Sequence, residues 1–188
     1  MQLEKGVQKA QKNGTTSLQH FHKADYHVLP YKDKSFDVFW SLESIEHSDD
    51  VPTFIREAHR VLKPGGRMVI AATFKGETPP SDKQKYQLEV GHRVAGVFNN
   101  FRTAQEVTDL ITDAGFNRVA NTDDTHLVMR SSNQMDFMCR LGLPEARFVH
   151  NIGLISQTMV DNTAWGTYQK GLFKSGVTSY NILTSITP

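Results

Sequence analysis

The chain of 188 residues carries one cysteine, Cys139, which excludes an internal disulfide and any zinc site built from cysteines, and fits a reducing compartment. No apolar run approaches the roughly 18 residues needed to cross a bilayer, so no integral membrane segment is expected. Excess charge is also lacking. The formal net charge is +1 with basic residues scattered, which gives no electrostatic reason to expect nucleic acid or an anionic membrane as partner. The dinucleotide fingerprint G-x-G-x-x-G is nowhere present, which sets aside a nicotinamide enzyme. The first glycines, Gly6 and Gly14, lie inside and at the end of a helical stretch. The opening MQLEKGVQKAQKNG is charged and helical in pattern rather than a secretory signal. Together these absences point to the cytoplasm, with an organelle left open should a targeting segment precede Met1, and to no metal site.

What is present describes one globular domain over 1–188, with 38% hydrophobic and 22% charged residues. Gln2 to Lys12 are strong helix formers stopped by Asn13-Gly14. Leu18 to His22 form a short strand candidate ending at Ala24-Asp25, and HVLPYKDKS is a loop. FDVFW is an apolar run of the kind buried in a parallel sheet. Ser48, Asp49 or Asp50 can cap a helix that tolerates Pro52 in its first turn and carries Phe54, Ile55, Ala58, Val61 and Leu62 at helical spacing. Pro64-Gly65-Gly66 ends it, and Arg67 to Ala72 is the next strand of a parallel crossover. Thr73 to Phe101 reads as polar and irregular. Thr103 caps a helix to Ala114 with Glu106 as capping-box partner, and Gly115 stops it. Phe116 to Ala120 starts a strand, His126 to Lys170 is mostly helical, and SGVTSYNILTSITP alternates as a final strand.

Ligands of open α/β sheets sit outside the carboxyl ends of the strands. Two such ends carry polar residues here: Asp25-Tyr26, and Ser41-Leu42-Glu43 after FDVFW. A carboxylate there can accept from an exocyclic amine such as that of adenine; alternatively Asp25 merely caps a turn. Acidic residues and histidine follow closely: Glu43, Glu46, His47, Asp49 and Asp50, a set that also suits an ordinary helix start.

The stretch AD-x3-LPY-x-D-x-SFDVFWSLESIEH, followed by F-x-REAHRVLKPGGRMVIA, resembles the class I S-adenosylmethionine-dependent methyltransferases, in the type 11 branch that holds tocopherol, sterol C-24 and ubiquinone/menaquinone methyltransferases. FRTAQEVTDLITDAGFNRV, DDTHLV and WGTYQKGLFKSGVTSYNILTSITP extend the similarity to nearly the whole chain. The resemblance implies a Rossmann-like sheet flanked by helices, with a helical insertion before the last strand. It divides the domain into a cofactor-side core (1–74), a variable substrate loop (75–100) and C-terminal helices with the last strands (101–188). It implies S-adenosyl-L-methionine as cofactor, held by Asp25 at the adenine amine, by the backbone of Tyr26 at the ring edge, and by Ser41 and Leu42 near the methyl-bearing sulfur. His47 as a base, or Glu43 beside a cationic intermediate, would be catalytic; Gly65 and Gly66 would be structural and Arg67 a solvated charge. Asp124-Thr125 falls at the family's substrate-side loop, where a plain turn is the alternative. Phe137, Phe148, Trp165 and Tyr168 fit either core packing or an acceptor lid. The acceptor would be a small molecule or lipid-like.

The chain departs from the family in one respect. The family's first strand with its GxGxG turn, and the second strand with its ribose-binding acid, are absent: roughly 60 residues at about 30 per strand–helix unit. In the family order 3-2-1-4-5-7-6 those strands lie between the ones ending at Asp25 and Trp40. The expectation is an N-terminally truncated fragment with impaired cofactor binding, whose FDVFW strand is a bare edge open to self-association. A non-catalytic methyltransferase-like binding or regulatory protein is the alternative.

Overall fold

A computed structural model describes residues 2–96 and 101–188. Its elements are α1 (Gln2–Lys12), β1 (Phe36–Leu42), α2 (Val51–Val61), β2 (Leu62–Lys75), α3 (Asp82–Ala95), α4 (Ala104–Asp113), β3 (Asn117–Asp123), α5 (Thr125–Asn151), α6 (Gln157–Lys174) and β4 (Thr178–Ile186). The sheet order is β1-β2-β4-β3. Strand β1 runs parallel to β2, and β4 runs antiparallel to both β2 and β3. This corresponds to the 4-5-7-6 half of the order implied by the resemblance. Helices α5 and α6 form the insertion before the last strand.

Local chemistry explains most element boundaries. Asp50 accepts from the Thr53 amide at 3.0 Å and starts α2 with Pro52 in its first turn. Thr103 and Glu106 close a reciprocal capping box on α4, at 3.1 and 2.7 Å. Phe54, Ile55 and Ala58 of α2, Val107 and Ile111 of α4, and Met68, Ile70, Ala72, Phe74 and Leu183 of the sheet form one buried core. On the other side, α6 ties to α5 through Asp136, which takes Arg140 at 2.6 Å and Lys170 at 3.3 Å.

Several expectations are corrected. No strand forms at Leu18–His22: Thr16–Leu18 is a single helical turn and the chain then runs irregularly to Asp25. Nothing in the described sheet lies beyond β1 for it to pair with, and an unpaired strand cannot satisfy its backbone. Much of the described part of 73–101 is regular. Strand β2 runs on to Lys75, and α3 occupies Asp82–Ala95 behind a capping box of Ser81 and Gln84; residues 97–100 of the substrate loop lie outside those described. Pro64-Gly65-Gly66 does not separate helix from strand but bulges within β2, which begins directly after Val61. Gly65 has φ +75°, and a Cβ on Gly66 would sit 2.7 Å from the Lys63 carbonyl oxygen. Both glycines bond Thr187 at the end of the chain.

Strand β1 is not buried. Phe39 packs under Phe54 with ring centroids 5.6 Å apart, but Phe36, Val38, Trp40 and Leu42 on the opposite face are uncovered, Trp40 being 64% exposed. The expected bare edge is present.

Candidate functional site

Parallel β1 and β2 bring their carboxyl ends to one rim, and three groups of residues assemble there. The first surrounds Asp25. This residue lies in a tight turn rather than at a strand end, bridged to Val28. Its Oδ1 accepts from the His27 amide at 2.8 Å and from His27 Nδ1 at 2.9 Å. These bonds, the backbone one foremost, hold the Asp25 carboxyl below the usual range, so it stays ionised. With Nδ1 donating, His27 Nε2 faces the buried Ser48 hydroxyl at 2.8 Å, just before α2. His27 thus fastens the Asp25 turn to the loop that leaves β1. Tyr26 stacks edge-on against Phe54 at 5.3 Å. Behind the turn, Glu57 accepts from the Leu29 amide while Arg60 donates to the Leu29 and Tyr31 carbonyls.

The second group is Ser41 and Leu42 at the end of β1. Ser41 is buried with its hydroxyl 3.1 Å from that of Ser44, whereas the Leu42 side chain is 54% exposed.

The third group lines a cavity of about 170 Å³ walled by β1's exit, α3 and α6. Glu43, Glu46 and His47 form one side of it, with Leu88, Gly91, His92, Phe101, Trp165 and Leu172 among the rest. Glu43 sits at φ +46° and donates its amide to the Ala71 carbonyl. Burial, then the neighbouring Glu46, pushes its carboxyl up to about 7; the Tyr180 hydroxyl, donating to it, pulls the other way. Burial likewise raises Glu46. Two neighbouring carboxyls, both partly withdrawn from water, thus each resist ionisation. The carbonyl of Gly96 lies 3.3 Å from His47 Nδ1 and accepts from it when that nitrogen carries the proton. Gly91 fits against the Trp165 indole so closely that a Cβ would fall 2.4 Å from the ring.

Asp25 with Tyr26, Ser41 with Leu42, and Glu43 with His47 are thus neighbours around one rim. Asp124-Thr125 is a helix start rather than a plain turn: Asp124 directly precedes α5, and Thr125, its first residue, accepts from the Tyr180 amide through Oγ1. Of the four aromatics only Trp165 lines the cavity, and Phe137 and Phe148 of α5, 64% and 65% exposed, are not core. Sequence reasoning passed over His27, His92 and Tyr180. The S-x-x-Q box at Ser81 could have revealed α3 and with it His92; nothing local marks the other two.

The fold is that of the class I S-adenosylmethionine-dependent methyltransferases, and residues 2–70 match the family profile described as a methyltransferase domain. The resemblance read from the sequence stands. Among relatives, 27-O-demethylrifamycin SV methyltransferase of Amycolatopsis mediterranei is 38% identical over 99 residues, covering 51% of this chain and 36% of its own length. The ubiquinone/menaquinone biosynthesis C-methyltransferase UbiE of Bartonella tribocorum is 33% identical over 135 residues, covering 63% of this chain and 52% of its own. The crystal structure of a putative sarcosine dimethylglycine methyltransferase from Galdieria sulphuraria superposes with a TM-score of 0.77 at 14% identity, over 98% of this chain and 65% of that one. The chain spans from about a third to about half the length of the two sequence relatives.

Proposed function

We propose that this chain carries the adenine and acceptor sides of an S-adenosyl-L-methionine-dependent methyl-transfer site, acting on a small-molecule or lipid-like acceptor. The observation that carries the reading is the shared rim: an ionised, outward-facing Asp25 is linked through His27 to the loop that holds Ser41, Glu43 and His47, beside an apolar cavity.

The residues present fit part of the cofactor. Asp25 has an oxygen beyond the one engaged by His27, free to accept the adenine amine, and the Tyr26 backbone adjoins it. Ser41 and Leu42, at the carboxyl end of β1, would flank the methionine portion. Among the described residues no glycine turn faces the amino-acid end and no acid is placed for the ribose hydroxyls. The cofactor, when bound, supplies an electrophilic methyl group. The protein's part is to align the acceptor, exclude water and manage its proton. Glu43, raised toward neutrality, and His47 are the bases assigned here, beside Glu46 and His92 in the cavity wall.

Each charge-assisted hydrogen bond missing at the ribose and carboxylate is worth roughly 1.5–3 kcal/mol, so affinity is reduced by two or more orders of magnitude. Calorimetric titration of this chain with S-adenosylmethionine should give a dissociation constant of about 100 µM or weaker, weakened further by Asp25→Ala. Low-micromolar binding, or binding indifferent to Asp25, would contradict the assignment.

A second reading draws on the uncovered face of β1. Phe36, Val38, Trp40 and Leu42 beside an unpaired strand edge suit a non-catalytic role in which the chain pairs with itself or another polypeptide.

A further inference from the structure

His27 touches two parts of the rim that are far apart in the chain. Its Nδ1 stands 2.9 Å from Asp25 Oδ1; its Nε2 stands 2.8 Å from the Ser48 hydroxyl, with Asp49 Oδ1 3.5 Å away. Ionised Asp25 can only accept, so Nδ1 carries a proton, and in the neutral ring Nε2 accepts from Ser48. Ser48 is fully buried, and its amide closes the helical turn Ile45–His47 on the Ile45 carbonyl at 3.0 Å. Glu46 and His47 of that turn line the cavity. One imidazole therefore joins an exposed carboxylate to the turn that supplies two groups to the cavity wall.

We propose that His27 is a positioning residue that couples the two sides of the site. Through Nδ1 it fixes which Asp25 oxygen faces outward, and through Nε2 it passes the occupancy of Asp25 to the turn bearing Glu46 and His47. This role rests on the reading of Asp25 as the adenine contact. Oδ1 is committed to the His27 amide and ring, at 2.8 and 2.9 Å, which leaves Oδ2 for a ligand. Hydrogen bonds in such a chain polarise one another. An amine donating to Oδ2 draws charge from Oδ1, loosens its hold on Nδ1–H and makes Nε2 a poorer acceptor for Ser48.

The test is an NMR titration of the full chain with S-adenosylhomocysteine, using substitutions that split the imidazole. His27→Asn keeps an amide donor near the Nδ1 position and cannot reach Ser48. His27→Gln extends a polar atom toward Ser48 and lacks the Nδ1 donor. In the native chain the Asp25 amide, the His27 ring nitrogens and the Ser48 amide should move along one curve. His27→Asn should bind within about twofold of the native chain yet lose most of the Ser48 response, whereas His27→Gln should bind roughly tenfold more weakly. His27→Phe, which keeps a ring against Tyr26, should show both losses. Ser48→Ala cuts the link from its other end and should keep affinity while silencing the His47 amide, which decides the matter if a His27 variant does not fold. An undiminished Ser48 response in His27→Asn, or unaltered affinity in His27→Gln, would overturn the coupling. Asp25 signals unmoved in the native chain would overturn the adenine assignment beneath it, so the two failures are distinguishable.

Discussion

Glu43 shows how much one side chain can set. Its carboxyl is raised from 4.5 to about 7 first by burial and then by Glu46. An acid raised in the folded state binds its proton more tightly there than in the unfolded chain. Its favourable contribution is therefore complete below the ordinary value and disappears as pH rises through about 7. Discounted for partial solvent access, the loss is about 1–2 kcal/mol. Urea unfolding at about pH 5 and about pH 8 should show stability falling with pH in the native chain and falling less in Glu43→Gln, the remainder belonging to Glu46. A variant with an unchanged pH slope would mean that Glu43 is not the residue being titrated. The sequence placed Glu43 and His47 near one another after β1, because residues following a parallel strand must emerge at its carboxyl rim. It could not reveal the raised carboxyl, since its burial depends on helices arriving from far along the chain.

At the scale of elements, caps and apolar periodicity were legible: α1, α2, α4 and the helical run of α5 and α6 follow from them. Two elements were not read correctly. Leu18–His22 has the composition of a strand, but strands exist only in pairs, and pairing is not a local property. Helix α3 was hidden by GETPPSDK before it and by a polar face, although Ser81 and Gln84 announced its start. That box also matters for the site, since α3 supplies Leu88, Gly91 and His92 to the cavity. Ser81→Ala should cost about 1 kcal/mol and lower the melting temperature by about 2–4 °C, as read by circular dichroism. No change would show that α3 is held by its contact with Trp165 rather than by its start.

For the molecule as a whole, the four-stranded sheet ends in a strand whose outer edge and one face are bare. Lysine on an edge strand obstructs further pairing. Sedimentation velocity should therefore find concentration-dependent association in the native chain that is reduced in Val38→Lys; identical profiles would remove the edge as an assembly surface. The order β1-β2-β4-β3 reproduces the distal half of the sheet implied by the resemblance, and with it the rim on which the proposed site depends. That Asp25 reaches this rim through a turn and a histidine, rather than from a strand end, was beyond the sequence because His27, Ser48 and α2 hold it there through contacts distant along the chain. The most direct measurement is an amide NMR titration with S-adenosylhomocysteine. Asp25–His27 and Ser41–Glu43 should shift together, along one binding curve. Shifts confined to one of the two groups, or to neither, would contradict a single methyl-donor crevice.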